Sequence, residues 1–522
     1  MSSALYKKVG VAAFIMTVSI FLSRLMGLAR EMVIARAGGA GEAVDAYQVA
    51  FMIPEILNHV AASGFLSVTF IPIFAGYLAA DREAEGWAVF SLILTVFGLG
   101  LAAAIGVAWL FAPELVALLA PGLPEGAAFR SAVRMTRIII PAQFFFFSGG
   151  LFMAVQFARE RFLIPALAPL FYNLGIILGG VLLGPRLGVE GFAWGVLAGA
   201  FLGNFAVQYH GARQIGMRWG FVFNLCHPDL KRYILLTLPL MVGLSMTFST
   251  EIFMRFFGSF LPPGSIAGLN YGLRIMLLLV AFFGQAVGVA AFPFLARLAA
   301  QQKIGEMNRL LNGTLRYLAL VVPFSVLLMV LRSEVVQVLF ERGQFDAAAT
   351  ALTARVLACL LVGAFAFAAQ TVVVRGYYAI QNTLFPALFG TVAVVASIPL
   401  YIVGMQRLGV QGVALAISLS VILQVVLLYV LWNRRMGNPG SREVYRFYLK
   451  IFALSLPLGF VLEAGRQALR ALLPAADSLA GTLGVVFGTG ALCVALLAIA
   501  GHLLRIVEID DFLGRIWARL RP

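Results

Sequence analysis

Continuous apolar runs of about twenty residues recur along this whole chain, and no other feature restricts its fold as strongly. Only a helix or a closed barrel satisfies every backbone N–H and C=O without water, and a barrel would show short alternating segments instead. The runs fall at 10–36, 46–78, 87–113, 130–157, 163–184, 189–210, 232–260, 266–300, 309–331, 350–378, 385–404, 410–433, 447–465 and 481–504. They predict an all-α polytopic membrane protein of about fourteen transmembrane helices. Of the 522 residues, 61% are hydrophobic and 12% charged, and the mean hydropathy is +0.96. A soluble chain of this length could not bury so much apolar surface.

The formal net charge of +15 does not point to nucleic acid. Lys and Arg sit in short loops between runs, where they set topology and meet anionic membrane lipids. With a cytoplasmic amino terminus, roughly twenty basic residues fall on the cytoplasmic side against about eight opposite. Lys7, Lys8, Arg159, Arg161, Lys231, Arg434 and Arg435 are among them, so both termini are expected in the cytoplasm. The apolar run after Lys8 is too long for a cleaved signal and reads as an uncleaved first span. Cys226, Cys359 and Cys493 are too scattered for a disulfide framework or a zinc site. The sequence carries no GxxxxGK[ST], HExxH or GxSxG motif. A transporter with no enzymatic activity, cofactor or metal is therefore expected, driven by gradients or the membrane potential.

The chain repeats itself. Phe70-Ile71-Pro72-Ile73-Phe74-Ala75 is echoed by Ala291-Phe292-Pro293-Phe294-Leu295-Ala296, and Ile164-Pro165-Ala166-Leu167 by Phe385-Pro386-Ala387-Leu388. Arg186-Leu187-Gly188-Val189-Glu190-Gly191 is echoed by Arg407-Leu408-Gly409-Val410-Gln411-Gly412. All three pairs are 221 positions apart. A unit of six helices keeps its orientation when repeated, which predicts two parallel lobes, 1–221 and 222–440. Such lobes suit alternating access around a site near the midplane. Two further helices at 441–504 lie outside the repeat. The tail 505–522 places Ile506, Ile509, Phe512, Leu513, Ile516, Trp517 and Leu520 at helical spacing, which predicts an amphipathic helix on the cytoplasmic leaflet.

Ionisable residues inside apolar runs are costly and rarely face lipid. The first run carries Arg24, Arg30 and Glu31, and the second Asp45, Glu55, Asn58 and His59. Arg24 and Glu31 are seven apart and share a helix face. Arg24 and Arg30 either pair with Glu31 or Asp45, or bind an anionic ligand, for which a lysine-free arginine set suits phosphate. Glu55 and His59, four apart, either form a fixed buried pair or carry a proton. Glu251 and Arg255, also four apart, can neutralise each other. Arg274 has no acid nearby in sequence and is a candidate binding residue.

Phe21-Leu22-Ser23-Arg24-Leu25-Met26-Gly27-Leu28-Ala29-Arg30-Glu31 resembles the opening signature of the MurJ (MviN) family of lipid II flippases. Asp45-Ala46-Tyr47, Pro121-Gly122, Arg161-Phe162, Leu339-Phe340-Glu341-Arg342-Gly343-Gln344-Phe345 and Gly376-Tyr377-Tyr378-Ala379 continue it through nearly the whole chain. The resemblance implies the fold of the multidrug/oligosaccharidyl-lipid/polysaccharide exporters and a groove for a polyprenyl tail along the last two helices. It implies transfer of an undecaprenyl-pyrophosphate-linked peptidoglycan precursor, lipid II, from the inner to the outer leaflet of the bacterial cytoplasmic membrane. Arg24, Arg30 and Arg274 would bind the pyrophosphate and headgroup, supported by Asp45, with cell-wall synthesis proteins as further partners. The second helix departs from the pattern. Where the family has Asn-x-x-Arg-Arg after the proline, this chain has Glu55-Ile56-Leu57-Asn58-His59, and Ser63 replaces an acid. Met254 and Tyr401 stand where some members carry sodium ligands. The alternatives are transport of another polyprenyl-linked saccharide, drug/cation antiport, or a non-transporting scaffold.

Overall fold

A computed structural model describes residues 3–59, 65–123, 126–473, 478–506 and 508–509. Among these the chain is helical throughout, with turns and short loops and no strand. Among the described residues, nine helical stretches are long and apolar enough to cross a membrane, or ten if the pair bent by 46° at 347–361 and 364–379 is one span. Two further helices of 36 and 31 residues, Ser3–Gly38 and Pro228–Gly258, exceed the about 20 residues a crossing needs. The all-α membrane fold stands, while the number fourteen is not established. The runs expected at 46–78 and 266–300 do not form single rods. The first is interrupted at Phe51, between Glu42–Ala50 and Met52–Leu57, and turns π-helical at 58–59; its later part is described as Phe65–Ala79. The second is interrupted by a π-helical turn at Ala281–Gln285.

The helices form two compact units, Met1–Ala267 with Arg342–Phe345, and Gly268–Glu341 with Asp346–Pro522. The first contains α1 (Ser3–Gly38), α2 (Glu42–Ala50), α3 (Met52–Leu57), α4 (Phe65–Ala79), α5 (Glu83–Leu110) and α6 (Ala112–Leu119). It continues with α7 (Ala127–Ile139), α8 (Ala142–Ala158), α9 (Leu163–Leu187), α10 (Glu190–Gly199), α11 (Val207–Gln214) and α12 (Pro228–Gly258). Its core is an aromatic stack on α4, α5, α8 and α12, where Phe70, Phe74, Trp87, Phe90, Phe147 and Tyr233 are buried. The Phe74 and Trp87 ring centroids are 4.7 Å apart. Such rings contribute by area and by their tilted geometry. Helices α9 and α10 meet through glycines, because only a missing side chain lets two backbones approach so closely. A Cβ on Gly179 would lie 2.4 Å from the Gly195 Cα, and one on Gly175 2.4 Å from the Gly199 Cα.

The second unit follows as α13 (Ser265–Val280, its first turn counted with the first unit), α14 (Ala286–Ala300), α15 (Ile304–Leu318), α16 (Val321–Val330), α17 (Arg332–Phe340) and α18 (Ala347–Leu361). It ends with α19 (Ala364–Ala379), α20 (Leu384–Ala396), α21 (Ile398–Met436), α22 (Ser441–Leu472) and α23 (Leu479–Leu504). Trp432 is fully buried and donates to Asn308 Oδ1 at 3.0 Å, while Tyr429 donates to Asn312 Oδ1 at 2.7 Å. The most apolar stretches of α22 and α23 are each only 22% buried, against 67% for Ser265–Gly284. The last two helices therefore leave most of their apolar surface uncovered by the rest of the described chain. Of the tail, Ile506 and Ile509 are buried and Glu508 pairs with Arg316 at 2.6 Å. Residues 510–522, on which most of the expected amphipathic helix falls, lie outside the described residues.

The 221-residue offset reappears in the backbone. Asp81 and Gln302 both have φ 56°, and Glu160 and Gln381 both have φ 58°. Gly188 and Gly409 share φ 58°, and Gly216 and Gly437 are again both left-handed. At Asp81, Gln302, Glu160 and Gln381 the next residue bonds back five positions: Arg82 to Tyr77, Lys303 to Leu298, Arg161 to Gln156 and Asn382 to Tyr377. This is the Schellman cap, which satisfies carbonyls that a helix end leaves open.

Candidate functional site

Helix α1 carries the first cluster. Arg30 donates from Nη2 to Glu31 Oε1 at 2.6 Å and from Nη1 to Asn173 Oδ1 on α9 at 3.2 Å. Asn173 is oriented by its own bond to the Pro169 carbonyl, at 2.9 Å. Glu31 is buried and the Arg30 side chain mostly so. Arg24, two turns earlier, is on the exposed side of α1.

The turn after α1 explains its glycines. Gly39 has φ +61°, and a Cβ there would lie 2.5 Å from the Gln344 carbonyl oxygen, so only glycine fits. The turn delivers α2 and with it Asp45, which is buried. Asp45 Oδ2 accepts from Gly264 N at 2.6 Å and Oδ1 from Ala267 N at 2.7 Å. It thereby caps the amino end of α13, where a carboxylate answers both the open N–H groups and the helix dipole. Among the described residues Asp45 makes no ion pair with an arginine.

The second cluster lies between α3 and α12. Arg255 forks onto Glu55, with Nη2 to Oε1 at 3.0 Å and Nη1 to Oε2. Nη2 also donates to Glu251 Oε2 at 3.2 Å. The Glu251–Arg255 pair expected from spacing is present, but Glu55 has a partner 200 positions away that spacing does not reveal. Asn58 and His59 occupy a π turn directly after α3, both half-buried. Ser63 lies outside the described residues.

Arg274 sits half-buried on α13, in the second unit. Met254 and Tyr401 are both buried. Two features escaped sequence reasoning. Glu334 on α17, fully buried, is held by Arg466 at 2.7 Å and Arg470 at 3.3 Å from α22. A cavity of about 480 Å³ is lined by Asn308, Asn312, Arg316, Asn438 and Glu443 among others. Neither has a signal in spacing, since their members come from helices far apart in the chain.

Ion-pair clusters among long apolar helices define a polytopic membrane protein. Solved structures agree in fold: one titled as lipid II flippase MurJ in an inward closed conformation superposes with TM-score 0.76 at 23% identity, covering 94% of this chain and 99% of that one. An inward-facing multidrug resistance transporter of the MATE family, MOP superfamily, gives 0.68 at 15% identity, covering 82% and 98%. By sequence the chain belongs to the family described as lipid II flippase MurJ, whose model matches residues 34–469. The lipid II flippase MurJ of Burkholderia cenocepacia is 31% identical over 455 residues, 85% of this chain and 88% of that protein. A probable lipid II flippase MurJ of Rhizobium tropici is 27% identical over 517 residues, 96% and 95% of the two chains.

Proposed function

We propose that this chain is a flippase of the bacterial cytoplasmic membrane, carrying lipid II from the inner to the outer leaflet by alternating access. Family membership over residues 34–469 supports the reading. The observation that carries it into chemistry is the lysine-free pairing of Arg30 and Arg255 with carboxylates inside the first unit. Guanidinium forks match phosphate oxygens better than ammonium groups do. In this reading Arg24 and Arg30 grip the pyrophosphate in the first unit and Arg274 is the candidate in the second. Asp45, Glu31, Glu55, Asn58, His59, Glu251 and Arg255 support or couple the site, with His59 and Glu55 as the proton-carrying pair. The lobes 1–221 and 222–440 are the moving bodies, 441–504 holds the polyprenyl tail, and 505–522 rests on anionic lipid, with both termini cytoplasmic.

The test is rescue of cells depleted of their own lipid II flippase. Wild type is expected to restore growth, and Arg24→Ala or Arg274→Ala, shown to reach the membrane, is expected not to. Full rescue by both variants would remove these roles. The altered stretch Glu55, Asn58 and His59 favours a second reading, another polyprenyl-linked saccharide as cargo. Failure of the wild type to rescue would select it.

A further inference from the structure

Among the described residues, Arg255 is the one charged side chain in the set of largest fully buried residues, 1% exposed. Stripping such a group of its partners leaves an uncompensated buried charge, so some anion must face it in every state. Here two carboxylates do so, and Glu31 lies within electrostatic reach as well. The surplus of negative charge repels any further anion as long as both carboxylates stay.

The partners differ in freedom. The side chains of Glu55 and Glu251 are 27% and 28% exposed, so both reach Arg255 from an accessible side. Glu251 shares the long helix α12 with Arg255, so its backbone stays one turn away from it. Glu55 rides on the six-residue α3, between a break at Phe51 and the π turn at 58–59. It is the member able to leave. Its two oxygens take Nη1 and Nη2 side by side, the arrangement that two oxygens of a phosphate would adopt. The Nε of Arg255 is buried with no hydrogen-bond partner among the described residues. Tyr172 of α9 is within electrostatic reach of both Arg30 and Glu55, which makes the two arginine clusters neighbours.

We propose that Glu55 is a built-in stand-in for a diphosphate: it occupies the Arg255 fork in this state and is displaced when the diphosphate of a polyprenyl lipid arrives. Displacement unties α3 from α12, so the ligand interacts differently with the tied and untied states, as any population shift requires. Arg255 thereby becomes a binding residue that shows itself only on exchange. The choice of ligand rests on the flippase reading, whereas the exchange itself does not require lipid II.

The test uses the full chain in nanodiscs, with undecaprenyl diphosphate as probe and undecaprenyl monophosphate as control. Glu55→Gln is expected to bind the diphosphate about tenfold tighter than wild type, and Arg255→Gln about tenfold weaker. The double variant is expected to show no gain over Arg255→Gln. Arg255→Lys keeps the charge without the fork and is expected to lose the gain too. A gain from Glu55→Gln that survives either change at Arg255 overturns the proposal, as does the absence of any gain or of any binding. A merely structural tie predicts lower thermal stability for Glu55→Gln with affinity unchanged, which also overturns it. If wild type fails to rescue flippase-depleted cells while the coupling between positions 55 and 255 persists, lipid II falls as cargo and the exchange stands.

Discussion

Asp45 meets two backbone N–H groups at the start of α13, where a helix has donors that no intrahelical carbonyl reaches. Asp45→Ala is expected to cost about 2 kcal/mol, and Asp45→Asn, which keeps one acceptor, about 1 kcal/mol. Thermal unfolding of the purified protein checks this ranking, and equal melting temperatures for all three chains would refute the cap. This residue also marks the limit of what sequence shows. A charge inside an apolar run announces itself, and Arg30, Glu31, Glu251 and Arg255 are legible because their partners lie one or four positions away. Asp45 bonds to backbone, which every residue carries, so nothing in the sequence singles out Gly264 and Ala267. Glu55 and Arg255 are hidden by separation, because only the folded chain brings positions 200 apart to one fork.

Helices α9 and α10 pack through the absence of side chains, so their contact tests the fold at the level of the element. A Cβ on Gly195 would lie 2.6 Å from the Gly175 carbonyl oxygen and 2.8 Å from the Ile176 Cα. Both are backbone atoms and cannot swing aside as a flexible side chain would. Gly195→Val is therefore expected to remove folded protein from the membrane, measured as accumulation and as a monodisperse peak in detergent. On α5, a Cβ on Gly106 would meet no other helix within 4 Å, and Gly106→Ala is expected to leave the protein folded and raise its stability by up to about 1 kcal/mol. If the two substitutions behaved alike, close backbone packing would not be what joins α9 to α10. The helices themselves are readable from apolar runs, but their breaks are not. The interruptions at Phe51 and at Ala281–Gln285 fall within continuous apolar sequence, where hydropathy carries no mark of a change in helical pitch.

Across the molecule, the same turns recur at the same offset, so one substitution can be made twice. Glu160 and Gln381 hold φ 58° without being glycine. Relieving that left-handed strain with glycine outweighs the entropy glycine adds to the unfolded chain. Glu160→Gly and Gln381→Gly are each expected to raise stability by up to about 1 kcal/mol, and opposite signs in thermal unfolding would mean that the two caps are not equivalent. The helices outside the repeat need another kind of fastening, since α22 and α23 bury so little of their apolar surface. Glu334 supplies one for α22. It is fully buried on α17 and faces Arg466 and Arg470, while Arg466 is held in turn by Glu463 at 2.5 Å. Removing one partner of such a pair costs about 3–5 kcal/mol because the other charge stays buried, whereas replacing both with apolar residues is often nearly neutral. Arg466→Leu alone is therefore expected to destabilise strongly, and adding Glu334→Leu to recover most of the loss. Cysteines introduced at the exposed Phe460 and Phe487 should label faster in the single variant if the cluster is what secures the last two helices. Unchanged labelling, with stability lost in the single and double variants alike, would assign the cluster to the inside of the second unit instead.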